Sequence, residues 1–269
     1  MARILIPTDF SENAMHAAEY AVRLFGPTGN TYHFLHIFMD YNISAPLVPA
    51  AWSPELLLAS EDDMRDFTAD FTERTGATGV EHEVMIGALA STIHAIAVEK
   101  GADVVVMGKR GGTGSMFFGS NTTDVLKQVR VPVLAVPESA HTRDVGRILL
   151  ADDYEDVSLS DLAPLRTIAL LKKAEVIVTH VEQEPQDRPD HWSHGLYDLA
   201  LKDVPHSFTE SHGRDVVDGL EHTAHQRKAD MIAVLHRHLP LMESMFHTSL
   251  AKRMALAADL PLLVLHHQD

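Results

Sequence analysis

The sequence predicts an α/β protein built as two tandem doubly wound domains, each with a five-stranded parallel sheet. Three observations carry this. Short apolar runs rich in Ile, Val and Leu alternate with longer segments of helical spacing, and strands that alternate with helices imply parallel crossovers. The runs lack polar alternation, as expected of strands buried on both faces. The chain also repeats itself: "RILIPTDFSE" at 3–12 returns as "RILLADDYED" at 147–156, "GADVVVMGKR" at 101–110 as "KADMIAVLHR" at 228–237, and "VPVLAVP" at 131–137 as "LPLLVLH" at 260–266. A repeat of half the chain is too long for a solenoid and reads as two related domains, 1–140 and 146–269.

In the first half a strand over 3–7 is followed by a helix over 12–25, with Ser11 as N-cap and Ala14, Ala17, Ala18, Ala21, Val22 and Phe25 as one apolar stripe. Further strands are expected at 31–37, 80–86, 103–107 and 132–136, and helices at 55–75, 90–100 and 119–128. The segment 38–54, with three prolines, reads as a long crossover loop. The second half repeats the plan, with strands at 147–151, 174–180, 204–209, 230–235 and 261–265 and helices at 157–171, 215–227 and 246–257. The polar region 184–203 is the expected counterpart of 38–75, and "PESAHTRDVG" at 137–146 the linker.

Composition narrows the classes of partner. With 22 basic against 38 acidic residues, a net −16, the chain lacks the clustered Lys and Arg that nucleic-acid binding uses. The absence of cysteine excludes disulfides and thiolate chemistry. No apolar run approaches the roughly 18–20 residues of a spanning helix, and "MARILIPTDF" has no signal-peptide pattern, so a soluble cytoplasmic protein without membrane contact is expected.

Charge divides evenly between the halves, but glycine does not: 11 of 15 lie in the first. Five of them, Gly108, Gly111, Gly112, Gly114 and Gly119, fall in "GKRGGTGSMFFG" between a strand and a helix. In an open α/β sheet that edge is where ligands bind. Glycines let successive N–H groups converge on an anion, and a helix N-terminus adds a positive dipole end. Lys109 or Arg110 can add charge, and Ser120, Asn121 and Thr122 can add donors. A flexible loop before a Ser-capped helix is the alternative. The stretch is neither a Walker loop nor a dinucleotide fingerprint, which sits after the first strand. Asp9, at the end of the first strand, suits ribose hydroxyls or an adenine amine, or else a helix cap.

"ILIPTDFSENA", "MGKRGGTG", "GSNTTDVL" and "VPVLAVP" together resemble the universal stress protein family, over the whole chain as two tandem domains. The resemblance implies a Rossmann-like, adenine nucleotide alpha hydrolase-like fold and ATP, with Mg2+ as its companion, bound in the first domain only. It implies an adenine and ribose pocket from Pro7, Thr8 and Asp9, apolar flanks from Ile37 and Met107, and phosphate contacts from Gly108, Arg110, Gly111, Gly119, Ser120 and Asn121. The family's Gly-x2-Gly-x9-Gly-Ser/Thr motif is matched at both ends, Gly108–Gly111 and Gly119–Ser120, but seven residues rather than nine lie between. The family also implies pairing of the two domains through their last strands, and a homodimer.

In the second half every glycine of the motif is replaced: Leu235 stands near the place of Gly108, His238 or Leu239 near Gly111 and Thr248 near Gly119. That half is expected to act as a pairing scaffold or to hold another ligand. Thirteen of the 18 histidines lie there, and His222 and His225 share a helix face, but no compact metal signature accompanies them. No nucleophile elbow or adenylyl-transfer motif is present, so no catalytic residue is expected, with ATP hydrolysis at most slow and incidental. Three functions compete: a nucleotide-binding regulatory protein, an adaptor without nucleotide, and a metal or small-ligand sensor using the His-rich half.

Overall fold

A computed structural model of the 269-residue chain describes residues 1–38, 54–109, 120–140, 144–152, 157–182, 194–213, 216–236 and 260–267. The first half runs β1 (Arg3–Pro7), α1 (Glu12–Phe25), β2 (Thr31–Phe38), α2 (Pro54–Thr75), β3 (Val80–Ile86), α3 (Leu89–Lys100), β4 (Val104–Lys109), α4 (Ser120–Gln128) and β5 (Val133–Pro137). The second runs β6 (Arg147–Asp152), α5 (Leu159–Lys172), β7 (Glu175–Glu182), α6 (His194–Ala200), β8 (His206–His212), α7 (Val216–Arg227), β9 (Met231–His236) and β10 (Leu262–His266). The expected helix 246–257 and most of the crossover 38–54 lie outside the described residues. Among the described residues no helix is long and apolar enough to cross a membrane.

The strands form one ten-stranded sheet in the order β3-β2-β1-β4-β5-β10-β9-β6-β7-β8. Every recorded pairing is parallel except the central one, where β10 meets β5 antiparallel with Leu262 opposite Ala135, Leu263 opposite Leu134 and Val264 opposite Val133. The two five-stranded sheets thus join through their last strands. All four of Leu134, Val133, Leu263 and Val264 are fully buried.

Alternate strand residues feed two cores. On one face α1, α2, α5 and α6 cover Ile4, Ile6, Phe34, Val106, Leu150 and Leu263; on the other α3, α4 and α7 cover Leu5, Leu35, Val105, Leu149 and Val264. The alanines of α1 let it lie close on the sheet: Ala17, Ala18 and Ala21 are at most 1% exposed. Ser11 caps α1 by accepting from Ala14 N–H at 3.2 Å, and Ser158 caps α5 in a reciprocal box with Asp161. At the outer edge, His33 of β2 lies between Glu81 (3.3 Å) and Glu83 (2.7 Å) of β3, whose charges discourage pairing with a further strand.

The repeat read from sequence is reproduced in contacts. Arg3 N–H donates to Asp103 Oδ2 at 2.8 Å and Arg147 N–H to Asp230 Oδ2 at 3.0 Å. The Arg3 guanidinium reaches Lys100 O, and that of Arg147 reaches Arg227 O. The residue following α3, Gly101, and the one following α7, Lys228, both take the left-handed conformation, at φ 61° and 54°. That conformation is disfavoured for side-chain-bearing residues by about 1–2 kcal/mol. Gly101→Ala should therefore lower stability by about 1 kcal/mol, while Lys228→Gly should raise it slightly. The shift of the urea midpoint at unchanged slope checks both.

Candidate functional site

The strand order places a switch point in the first half. From β1 the chain crosses through α1 on one face, and it reaches β4 through α3 on the other. A crevice therefore opens beyond the carboxyl ends of β1 and β4, the position ligands take in open α/β sheets. Pro7, Thr8 and Asp9 come to this crevice from β1, Ile37 from β2, and Met107 and Gly108 from β4. Pairing of Leu5 with Val105 and of Pro7 with Leu35 sets β2 and β4 on either side of β1. Ile37 and Met107 belong to the same apolar cluster, and each is 8% exposed.

Backbone and side-chain hydrogen bonds hold the turn that ends β1. Thr8 N–H donates to Leu35 O at 2.9 Å, extending the ladder by one rung. Thr8 Oγ1 accepts from Phe10 N–H at 3.0 Å, and Asp9 Oδ1 accepts from Ser11 N–H at 3.1 Å and Ser11 Oγ at 2.5 Å. Phe10 takes a left-handed backbone, φ 62°, which a bulky residue keeps only when its surroundings hold it there. Its ring stacks on His36 at 4.3 Å and meets Phe67 edge-on at 5.8 Å. His36 Nδ1 lies 2.8 Å from Thr8 O; a carbonyl only accepts, so Nδ1 carries the proton. Asp9 is left exposed on this rigid turn, and Ser11, not Asp9, is the helix cap.

At β4 the structure corrects the expected boundary. The strand continues to Lys109 because Gly108 and Lys109 pair with Val136 and Pro137 of β5. Gly108 is thus a strand residue, and its lack of a side chain serves α1. A Cβ there would stand 2.5 Å from Asn13 Nδ2 and 2.9 Å from both Asn13 Cγ and Asn13 O. Lys109, a candidate for phosphate charge, is buried at 6% exposure. Thr122, a candidate donor, is 3% exposed and gives its hydroxyl to Gly108 O at 3.4 Å, tying the first turn of α4 to the end of β4. Ser120 and Asn121 begin α4, so its N-terminal end belongs to the same edge of the sheet. Arg110, Gly111 and Gly119 lie outside the described residues.

Phe10, Asn13 and His36 were not among the expected site residues. Asn13 Oδ1 is buried beside Gly108 and has no hydrogen-bond partner among the described residues. His36 had a signal in the repeat, since His180 occupies the same register and its Nδ1 lies 3.0 Å from Asp152 O.

At the matching edge of the second half the described residues differ. Asp152 stands where Thr8 does, 7% exposed, and its Oδ1 accepts from the Tyr197 hydroxyl of α6 at 2.5 Å. Leu235, in the place of Gly108, is 7% exposed in the core. Asp153, which follows Asp152 in the sequence, lies outside the described residues. His222 and His225 are exposed on α7, and among the described residues no three His, Asp or Glu side chains are grouped to hold a metal.

The geometry assigns Gly108 to packing, which can be checked apart from any ligand. Gly108→Ala should destabilise by ~1–3 kcal/mol from overpacking. Asn13→Ala in the same chain should recover only part, because the Asn13 carbonyl remains in contact. A double-mutant cycle in urea reads the coupling.

Comparison with known proteins agrees with this architecture. The profile of the Universal stress protein family matches residues 1–137. Universal stress protein MJ0531 of Methanocaldococcus jannaschii is 27% identical over 138 residues, covering 50% of this chain and 81% of that one. The solved structure of a universal stress protein from Archaeoglobus fulgidus superposes with a TM-score of 0.73 at 19% identity, covering 99% of this chain and 97% of that one. A putative universal stress protein from Pseudomonas aeruginosa gives 0.59 at 17% identity over 99% and 93% of the two chains. At those identities the structures bear on the fold, and the sequence profile bears on ancestry. With its family profile matched across the half that carries the crevice, the chain belongs to the universal stress protein family.

Proposed function

We propose that the protein is an adenine-nucleotide-binding regulatory protein of the stress response, with ATP held in the first half. The observation that supports it best is the switch-point crevice. There an exposed carboxylate on a rigid turn, Asp9, faces the same strand edge as Ile37, Met107 and the N-terminal turn of α4. In this reading Asp9, with Pro7 and Thr8, takes the ribose and adenine polar edge, and the flat base lies against Ile37 and Met107. The phosphates meet the backbone and side chains of Arg110, Gly111, Gly119, Ser120 and Asn121, where a helix N-terminus favours anions. Gly108 contributes by letting α1 approach. Mg2+ would enter on the phosphates rather than in a protein cage.

The chain then acts by binding and not by catalysis, in the cytoplasm, with nucleotide occupancy altering contacts with partners or with a second copy. The second half supports the reading by contrast: Tyr197 engages Asp152 where the first half keeps Thr8 beside an exposed Asp9. The adaptor reading is favoured by one feature, the segment of seven residues between Gly111 and Gly119.

Mass spectrometry of small molecules released from the purified chain separates the two. Released ATP or ADP, reduced at least tenfold by Asp9→Ala or Gly111→Val, is expected. Clean protein whose melting temperature does not move in millimolar ATP would defeat nucleotide binding and leave the adaptor.

A further inference from the structure

The two halves meet through α1 and α5 as well as through β5 and β10, and here the internal symmetry breaks. Nine residues after the caps Ser11 and Ser158 stand Tyr20 and Thr167; twelve after, Arg23 and Leu170. On one side of the junction Tyr20 is 4% exposed. Burial, and then the carboxylate of Asp230, push its phenol well above its ordinary range. The Arg23 guanidinium lies over the Tyr20 ring at 5.9 Å, and Lys172 Nζ donates to Arg23 O at 3.1 Å. That side is filled by an aromatic ring near Asp230, the residue before β9.

On the other side Asp103 takes the place of Asp230, and α5 offers Thr167 in place of the ring. A cleft of about 680 Å3 opens there, lined by Phe25, Val104, Pro132, Thr167, Ile168 and Leu263. Its size lies within the range of small-molecule sites, ~300–1,000 Å3. At its rim Leu170 and Leu171 are 40% and 51% exposed, apolar area that a ligand would remove from water. Asp103 Oδ2 accepts from Arg3 N–H, and Oδ1 accepts no hydrogen bond among the described residues. The Thr167 hydroxyl is spent within its own helix, on Ala163 O at 2.9 Å.

We propose that this cleft binds a small aromatic molecule bearing a hydroxyl, a phenol, in the position that Tyr20 fills on the opposite side of the junction. The ring lies against Phe25, Ile168 and Leu263, where offset or edge-on contact with Phe25 adds to burial. The hydroxyl donates to Asp103 Oδ1. The site stands apart from the nucleotide crevice, on the amino edge of the first sheet, and does not depend on nucleotide binding.

The probe is p-cresol, the tyrosine side chain as a free molecule, titrated into the full chain by calorimetry with thermal melting in parallel. One equivalent should bind with Kd on the order of 1 mM or tighter and raise the melting temperature. Thr167→Tyr should weaken binding at least tenfold and raise the melting temperature by itself; Thr167→Leu, a smaller fill, reads the same if that variant fails to fold. Tyr20→Ala should open the symmetric place and add a second equivalent. Equal affinity in wild type and both Thr167 variants would overturn the proposal, as would toluene binding as tightly as p-cresol. It is also overturned if p-cresol does not bind and Thr167→Tyr instead converts a dimer to a monomer in light scattering, because the cleft then belongs to a second copy of the chain.

Discussion

Leu262 to Val264 of β10, lying antiparallel to Val133 to Ala135 of β5, are the constraint on which the rest of the molecule depends. An edge strand with both faces apolar is a hazard in water, since it offers unpaired N–H and C=O groups to any other chain. Each half alone would end in such an edge. Pairing the two edges satisfies the backbone groups and buries side chains on both faces at once. The outer ends of the joined sheet, β3 and β8, are by contrast rich in charged and polar residues.

That junction also orders the functional surfaces. Because β10 runs against β5, the carboxyl edge of one half lies beside the amino edge of the other. The two switch-point crevices are thereby kept apart, and one can diverge without disturbing its partner. The second has done so: Tyr197 donates to a buried Asp152 and Leu235 is packed in the core, where the first half keeps Thr8 and Gly108. The shared element is the histidine latch, His36 on Thr8 O and His180 on Asp152 O. Its survival in both halves marks it as part of how the strand end is held. In the first half its added stacking on Phe10 keeps a strained turn that presents Asp9.

Gly108 shows how a motif residue can serve two levels. In sequence it reads as the first glycine of a phosphate loop. In the fold it is a β4 residue whose missing Cβ admits Asn13 of α1. Close approach of that helix to the strand end is what brings Ser11 and the 8–11 turn to the crevice. Loss of the glycine in the second half, as Leu235, accompanies a core packed in its place.

The alternation of apolar runs and helical spacing determined the order and type of most described elements from sequence alone, because strands buried on both faces and helices with one apolar stripe leave clear periods; α6, in the polar stretch 184–203, was not read. The repeat likewise carried the equivalence of Arg3 with Arg147 and Asp103 with Asp230, since local ladder and cap contacts need only short-range matches. What the sequence could not decide were contacts between residues far apart in the chain. The burial of Lys109, the engagement of Thr122 by Gly108 O, the stacking of Phe10 on His36 and the plug of Tyr197 on Asp152 all join different elements. Nor could it reveal that Tyr20 and Thr167 occupy matching places beside the junction, one filled and one open. Such pairings depend on the distance and angle between packed helices and strands. Those arise from the whole sheet closing at β5 and β10, not from any local stretch of residues.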